Sequence, residues 1–119
     1  VPSDDEWNVL IGFLDPGFNP DGQGSQSYTA GSKMKHPGLQ YWNAPNLDAT
    51  NESGFSGIAG GHRHPNNSFE LKGQFGFWWS STLFSANYAW YRYLRNINGE
   101  AGRESPHMRL GYSIRCIKN

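Results

Sequence analysis

The stretch FGFWWSSTLFSANYAWYRYL, at residues 75–94, decides the fold class of this chain. Its first part is rich in aromatic side chains and glycine, and its last part alternates so that Trp90, Arg92 and Leu94 share one face. Aromatic residues and a period of two are both typical of β-strands. The stretch therefore predicts two strands, with a loop at residues 83–88 between them.

A third strand is predicted near the end of the chain. Residues 110–117, LGYSIRCI, also alternate, and one side of this strand would carry Leu110, Tyr112, Ile114 and Cys116. Three strands that are joined by polar loops, at residues 83–88 and 95–108, are typical of an antiparallel sheet. The last third of the chain is therefore expected to form such a sheet.

The chain opens with the signals of a helix. Ser3 and Glu6 have the spacing of a capping box, in which each side chain bonds to the backbone amide of the other residue. Asp4 adds negative charge at the positive end of the helix dipole. Apolar residues then recur at helical spacing, at Trp7, Leu10, Ile11 and Leu14. The sequence DPG at residues 15–17 is expected to end the helix.

Between the helix and the sheet the chain carries few periodic signals. Residues 16–27 are rich in turn formers and predict an exposed loop, followed by a short helical turn within residues 28–35. Residues 36–68 have no clear period, which predicts a long ordered loop region. Helix first, loops in the middle and an antiparallel sheet last is the order of an α+β fold. With 119 residues, the chain is expected to be a single domain over residues 1–119.

Large aromatic rings must build most of the core. Only 36% of the residues are hydrophobic, yet 15% are aromatic, and each ring buries a large area. We expect the core to contain Trp7, Trp78, Trp90 and Tyr112. By contrast, three rings lie among turn signals and are expected at the wet surface, namely Tyr41, Trp42 and Tyr88.

Charge and hydropathy argue against two classes of function. Ten basic and ten acidic residues cancel, and no basic cluster is present, so the sequence does not support binding to nucleic acid. No run of about 18 apolar residues is present, so we expect no membrane span in this chain. Residues 1–3 lead directly into the helix, so any secretion signal is expected to lie upstream.

Three groups of residues could carry chemistry, and each also has a structural interpretation. His62 and His64 could begin a metal site, but no third ligand lies near them in sequence. Asp48, Asn51 and Glu52, together with Asn46, could supply oxygen ligands for calcium, or they could belong to a turn. The SST segment at residues 80–82 has no base or acid at catalytic spacing. We therefore expect no cofactor and no catalytic residue, and we assign no metal ligand.

Six blocks of the sequence together resemble one family. In order they are VPSDDEW at residues 1–7, ATNESGFS at 49–56, GGHR at 60–63, GFWWSST at 76–82, AWYRYL at 89–94 and GYSIRC at 111–116. They are similar to the Fibrobacter succinogenes major paralogous domain. The resemblance implies a C-type-lectin-like fold, distantly similar to formylglycine-generating enzymes, on secreted or surface lipoproteins of Bacteroidetes-like bacteria. Those enzymes use active-site cysteines that have no counterpart here, since Cys116 is the single cysteine. We therefore expect a non-enzymatic protein.

The chain departs from this family at its beginning. Members usually start earlier, with a strand and a Cys-Pro-x-Gly-Trp segment directly before the helix. The resemblance therefore implies that the chain lacks this N-terminal strand segment, and that Cys116 forms a disulfide with a cysteine upstream of Val1. It also implies that residues 110–117 have an unpaired strand edge, open to an upstream segment or a neighbouring subunit.

The loops at residues 83–88 and 95–108 are the predicted binding site. A rigid scaffold would display both loops, and they combine aromatic, amide and charged side chains, as adaptable binding loops do. The predicted ligand-binding residues are Phe84, Asn87, Tyr88, Arg95, Asn96, Arg103, Glu104 and His107. We expect a binding or adhesion module in the extracellular space or on the outer cell surface, with an extracellular protein or glycan as its partner. The alternative is a structural subunit or repeat unit of an extracellular assembly.

Overall fold

The chain has an α+β fold in which a helix comes first, a long loop region follows and an antiparallel sheet comes last. The computed structural model describes residues 1–106 and 109–118. In chain order the elements of this part are α1 (Asp4–Leu14), β1 (Gly24–Ser27), α2 (Ala30–Met34), β2 (His62–Arg63), β3 (Phe69–Glu70), β4 (Phe75–Ser85), β5 (Tyr88–Arg95) and β6 (Ala101–Glu104). Neither of these helices is long and apolar enough to cross a membrane. The predicted α+β order, with a helix first, a long loop region next and an antiparallel sheet last, is confirmed.

The first helix forms as its sequence predicts. The Ser3 amide donates to Glu6 Oε2 at 2.8 Å, and the Glu6 amide donates to Ser3 Oγ at 3.2 Å. At the other end the Asp15 amide donates to Ile11 O at 2.8 Å, after which the backbone becomes extended. The predicted apolar stripe faces the core, where the buried residues are Trp7, Ile11 and Leu14.

The main sheet has four antiparallel strands in the order β1-β6-β5-β4. The predicted pair, β4 and β5, forms its long hairpin, with Trp78 opposite Arg92. The loop predicted at residues 83–88 is too long, because β4 continues to Ser85 and β5 begins at Tyr88. The sequence misses the other two strands, because β1 lies in the expected loop 16–27 and β6 in the expected loop 95–108. Both are four residues long and lack a clear alternation. They become strands because β6 pairs with β5 and β1 pairs with β6, which local sequence does not show.

The prediction of a strand at residues 110–117 is wrong. Two positions of this segment form isolated bridges, at Gly111 and Ser113. Ser113 lies along the outer edge of β4, where its oxygen accepts from the Trp79 amide and its amide donates to Phe77 O, both at 3.1 Å. Every described side chain after it is exposed. An alternating pattern forms a strand only where a continuous pairing partner and a buried face are both present. This segment pairs only at two isolated positions, and none of its described side chains is fully buried.

The core lies between α1 and one face of the sheet and reaches into the loop region. The predicted core positions are right for Trp7 and Trp78. They are wrong for Trp90 and Tyr112, which are half-buried. Tyr112 lies on the far face of the sheet and stacks on Phe77, with 4.8 Å between the ring centroids. Alternation along a strand separates two faces, but it does not show how completely each face is covered.

The loop region contributes its own large ring to the core. Trp42 was expected at the wet surface, and this prediction is wrong, because the residue is 1% exposed. Its indole N–H donates to Gly57 O at 2.9 Å, so the buried ring leaves no unsatisfied donor. Tyr41 and Tyr88 are exposed, as predicted. Turn formers show where the backbone bends, and they do not show where the neighbouring side chain points.

Candidate functional site

The β4–β5 hairpin brings together three of the predicted binding residues. A two-residue turn at residues 86 and 87 joins its strands, and the register shifts twice before that turn. Such irregularities increase the local twist of a hairpin. At its end Phe84 is 56% exposed and Tyr88 is 40% exposed, and Asn87 is also exposed. We refer to residues 83–88 as the hairpin tip.

The hairpin tip rests on a stack of flat groups. The Phe84 ring meets the Trp90 ring edge-on, with 5.1 Å between the centroids and 80° between the planes. The guanidinium carbon of Arg103 lies 3.4 Å from the centroid of the same Trp90 ring. A cation over the face of an aromatic ring is attracted to it, more strongly where little water reaches the pair. Trp90 therefore connects the tip to the interior.

A buried carboxylate holds Arg103 in this position. Asp4 Oδ2 accepts from Arg103 Nη2 at 2.8 Å, and Asp4 Oδ1 accepts from Arg103 Nε at 3.2 Å and from Arg92 Nη1 at 2.6 Å. Burial alone would raise the pKa of Asp4, but hydrogen bonds and charges from Arg103 and Arg92 outweigh burial and hold that pKa below its ordinary value. The carboxylate is therefore charged at neutral pH, and it ties the start of α1 to two strands.

Hydroxyl groups make a second connection between the hairpin and the helix. Thr82 Oγ1 accepts from the Asp4 amide at 2.9 Å, and Ser80 Oγ accepts from the Thr82 amide at 3.0 Å. The Ser81 amide donates to Pro2 O at 2.8 Å. Hydroxyls that bond to nearby backbone in this way stabilise local structure. The base of the hairpin is therefore fixed to the start of α1 by hydrogen bonds.

Two other predicted binding residues lie at the opposite end of β5. Arg95 lies roughly 23 Å along the strand from Tyr88 at the usual rise per residue. Its guanidinium carbon is 5.1 Å from the centroid of the Phe75 ring. Asn96 is buried, and its side-chain amide donates to Ala44 O at 3.1 Å. Neither residue contributes to the hairpin tip.

The remaining predicted binding residues do not extend the tip either. Arg103 and Glu104 lie on β6, in the segment that the sequence predicted to be a loop. Arg103 is buried, and Glu104 is half-buried opposite Tyr91. His107 lies outside the described residues. Composition could not distinguish a buried arginine from an exposed one, because the carboxylate partner of Arg103 is 99 positions away in sequence.

An apolar groove beside the hairpin tip was missed by the sequence prediction. Its volume is about 370 Å³, and it is lined by Val1, Trp79, Ser80, Ser81, Leu83, Ala89 and Ile114. Leu83 is 57% exposed and Ile114 is 62% exposed. The exposure of Leu83 could have been predicted, because this leucine lies in a predicted loop. The exposure of Ile114 could not, because the alternating pattern predicts a strand there.

The histidines and the possible calcium loop have structural partners. His62 Nε2 lies 3.4 Å from Glu70 Oε2, while the rings of His62 and His64 are 6.4 Å apart. Asn51 Oδ1 accepts from the Ser56 amide at 2.7 Å, as in a turn. In residues 1–106 and 109–118, no three His, Cys, Asp or Glu side chains converge in a group that could hold a metal ion.

Cys116 lies at the surface near the start of α1. It is the single cysteine of the chain, so the described residues contain no disulfide. A cavity of about 250 Å³ separates it from α1 and is lined in part by Pro2, Glu6 and Ile117. The thiol is therefore accessible beside the residues that lead into the helix.

Comparison with known sequences agrees with the resemblance that the six blocks predict. The sequence model of the Fibrobacter succinogenes major domain (Fib_succ_major) matches residues 1–118. No curated protein and no solved structure matches the chain. The matched range includes the helix, the loop region and the whole sheet. The chain therefore belongs to the Fibrobacter succinogenes major domain family.

Proposed function

We propose that this chain is a non-enzymatic binding and adhesion module, and that the hairpin tip contacts its partner. The observation that carries the proposal is the exposure of Leu83, Phe84 and Tyr88 at the end of one hairpin. Large apolar groups that are exposed together mark interaction surfaces, whereas single ones are common everywhere. Aromatic residues also supply much of the binding energy at protein interfaces.

The base of the hairpin supports this role because it is held on two sides. Asp4 fixes Arg103, Arg103 lies over Trp90, and Thr82 bonds to the start of α1. A contact surface that is already ordered loses less conformational entropy when it binds. The tip can therefore use its apolar side chains for binding without first having to be ordered.

The shape of the tip favours a protein partner. An exposed hairpin end with apolar side chains can bind in a groove of another protein, whereas small ligands are usually held in concave sites with several convergent polar groups. The tip adds the Asn87 amide, and the neighbouring groove at Leu83 and Ile114 extends the apolar surface. We therefore place an extracellular protein ahead of a glycan as the partner of the hairpin tip.

The family supports the wider setting of the proposal. We infer a C-type-lectin-like scaffold and a position in the extracellular space or on the outer cell surface, as in secreted proteins and lipoproteins. The absence of catalysis is part of the same proposal. It is supported by the hydroxyls of Ser80 and Thr82, which accept from backbone amides and so serve the local structure.

We also propose the disulfide that the family resemblance implies, between Cys116 and a cysteine upstream of Val1. The exposed position of Cys116 near Pro2 supports it. Mass spectrometry of the unreduced, full-length protein from its native cells tests this pairing. A free thiol at Cys116 that reacts with an alkylating agent in that sample would show that the proposal is wrong.

A second candidate function is a structural subunit of an extracellular assembly. One observation favours it: residues 114–118 are exposed and make no backbone hydrogen bond to the rest of the described chain. They follow the bridge at the outer edge of β4, where a neighbouring subunit could add a strand. In that arrangement the hairpin tip would remain in water.

Photo-crosslinking on the producing cells distinguishes the two functions. The full-length protein would carry a photoreactive residue in place of Asn87 at the tip, Ile117 at the edge or Phe13 on the exposed side of α1. We expect a discrete adduct from Asn87 and none from the Phe13 control. An adduct from Ile117 alone would reject the hairpin tip and favour the assembly.

Competition shows whether the adduct depends on the apolar side chains of the tip. Wild-type full-length protein, added in excess, should suppress the adduct. A variant with Phe84→Ser and Tyr88→Ser should not suppress it, while the control Val9→Ser, an exposed position on α1, should act like wild type. Suppression by the double variant would contradict the proposed contact.

A further inference from the structure

A cavity of about 520 Å³ lies in the loop region, next to the start of β4, whereas the hairpin tip lies at the end of that strand. Its walls come from residues 39–43, 58–60 and 72–73. Small-molecule sites usually have volumes of roughly 300–1,000 Å³. The cavity is therefore large enough for a ligand of a few rings.

Hydrogen bonds hold the walls of this cavity together. The Asn43 amide donates to Gly73 O, and the Gly73 amide donates to Ala59 O, both at 2.8 Å. Trp42 is one of the lining residues, and its buried ring is fixed by its bond to Gly57 O. Since each wall is bonded to another, the cavity is formed before any ligand arrives.

An exposed aromatic ring stands at the rim. Tyr41 is held by His36, whose ring meets it edge-on with 5.0 Å between the centroids and 90° between the planes. Leu39 and Ile58 complete an apolar part of the rim. An aromatic ring in a fixed orientation, with a hydroxyl at one end, suits a ligand that has an apolar face and polar edges. The ring of a sugar has both.

Amide groups lie beside this ring and are free to bind. Gln40 and Asn43 line the cavity, and their side chains form no hydrogen bond within residues 1–106 and 109–118. Each amide offers both donors and an acceptor, which matches neighbouring sugar hydroxyls. The Asn43 amide lies close against Gly73, where a Cβ atom would be 2.5 Å from Asn43 Oδ1. The bare glycine lets the amide occupy its position.

The charge at the cavity is positive. Of the described residues that line it, Lys72 is the charged one, and its side chain is exposed. Opposite charges attract even near a protein surface, where water weakens the interaction. An acidic ligand is therefore favoured over a neutral one of the same shape.

From these features we infer that the cavity binds a short acidic saccharide. A sugar ring stacks on Tyr41, its hydroxyls bond to Gln40 and Asn43, and its carboxylate meets Lys72. This site is separate from the hairpin tip, so the saccharide site and the protein contact can be tested independently. The module would then hold a protein at one end and a saccharide in the loop region.

Titration of the full-length protein with matched saccharides tests this inference. The probes are digalacturonate against neutral digalactose, and sialyllactose against lactose, with binding followed by calorimetry or NMR. We expect at least one acidic probe to bind, and its neutral counterpart to bind about three- to fivefold more weakly, the range of an exposed ion pair. No binding of either acidic probe, or equal affinity within both pairs, would overturn the inference.

Variants then locate the binding site. Tyr41→Ala should weaken binding of the acidic probe about tenfold or more, since it removes the stacking surface. Lys72→Met should remove the preference for the acidic probe. Tyr28→Ala, another exposed tyrosine, and Phe84→Ser at the hairpin tip should bind like wild type. If Tyr41→Ala is folded by circular dichroism and binds like wild type, the cavity is not the site.

Discussion

The sheet and the loop region bury their polar groups in different ways. Beneath the sheet, charged side chains meet one another, and the Asp4 carboxylate holds both Arg92 and Arg103. In the loop region and directly before it, buried polar side chains bond mainly to backbone carbonyl groups and not to opposite charges, and Lys35 is the clearest case. The sheet satisfies its own backbone through strand pairing, whereas an irregular region needs donors from side chains.

Lys35 joins three segments through one ammonium group. It is 0% exposed, and its Nζ donates to Leu47 O, Arg95 O and Asn98 O at 2.9, 3.0 and 2.9 Å. An ammonium has three N–H donors, so each one has an acceptor. Burial lowers the pKa of Lys35 to about 8, and the charge of Asp48 opposes this shift. The group is therefore still protonated at neutral pH.

Two asparagines extend the same arrangement. Asn46 Nδ2 donates to His36 O at 3.0 Å and to Gly38 O at 2.7 Å. Asn96 Nδ2 donates to Ala44 O at 3.1 Å. The order of the loop region therefore depends on a few specific donors, whereas the sheet depends on a pattern that many residues share.

The largest effects are expected from the buried rings of the two regions. Trp78→Ala in the sheet and Trp42→Ala in the loop region should each lower the free energy of unfolding by about 3–5 kcal/mol. Trp90→Ala should cost less, about 1–2 kcal/mol, because this ring is half-buried. Urea unfolding of the full-length protein measures all three. A cost for Trp42→Ala as small as that for Trp90→Ala would mean that the loop region is not packed like a core.

The loop region is tested most directly at Lys35. Lys35→Met should lower the free energy of unfolding by about 3 kcal/mol, since it leaves three carbonyl groups without their donor. Lys33 is the matched control, because its Nζ donates to one described carbonyl, Leu14 O at 2.7 Å. Lys33→Met should cost about 1 kcal/mol. Equal losses in urea unfolding would show that Lys35 has no special role.

The charged pairs beneath the sheet are tested at Asp4. Asp4→Asn should lower the free energy of unfolding by about 2–3 kcal/mol, because two buried guanidinium groups would face a neutral amide. Asp5→Asn, at an exposed position in the same turn of α1, should cost about 0.5 kcal/mol or less. A similar cost for both variants would indicate that the helix dipole, and not the arginine pairs, accounts for Asp4.

The same pairs predict a dependence on pH. The pKa of Asp4 is lowered from its ordinary value of 3.8 in the folded chain. Its pairing therefore contributes stability that is present above that ordinary value and is lost as the pH falls through the lowered one. Below about pH 5, the wild type should lose stability more steeply than Asp4→Asn. Parallel losses in urea unfolding at decreasing pH would contradict this assignment.

The smallest effect on stability is expected at the hairpin tip. Leu83→Ser and Phe84→Ser should change the free energy of unfolding by about 1 kcal/mol or less, since both side chains are largely in water. The same variants, added in excess, should fail to suppress the crosslinked adduct. If the Phe84→Ser variant unfolds at a much lower urea concentration than the wild type, the tip is a part of the core and not a contact surface.

Local sequence determined the helix and the hairpin. The capping residues Ser3 and Glu6 lie three positions apart, and the alternation within β5 describes neighbours along one strand. Such signals need no distant partner, so they could be read before the fold was known. The exposure of Phe84, Asn87 and Tyr88 followed in the same way from a short turn between two aromatic strands.

Tertiary structure alone decided which residues became buried and what they bind. Asp4 meets arginines 88 and 99 positions away, and Lys35 meets carbonyl groups 12, 60 and 63 positions away. Trp42 is buried although turn formers surround it in the sequence, and Ile114 is exposed although it lies in an alternating pattern. A sequence pattern indicates which side chains of a segment can be buried. Burial and pairing also require a second segment, and only the tertiary structure determines which segment that is.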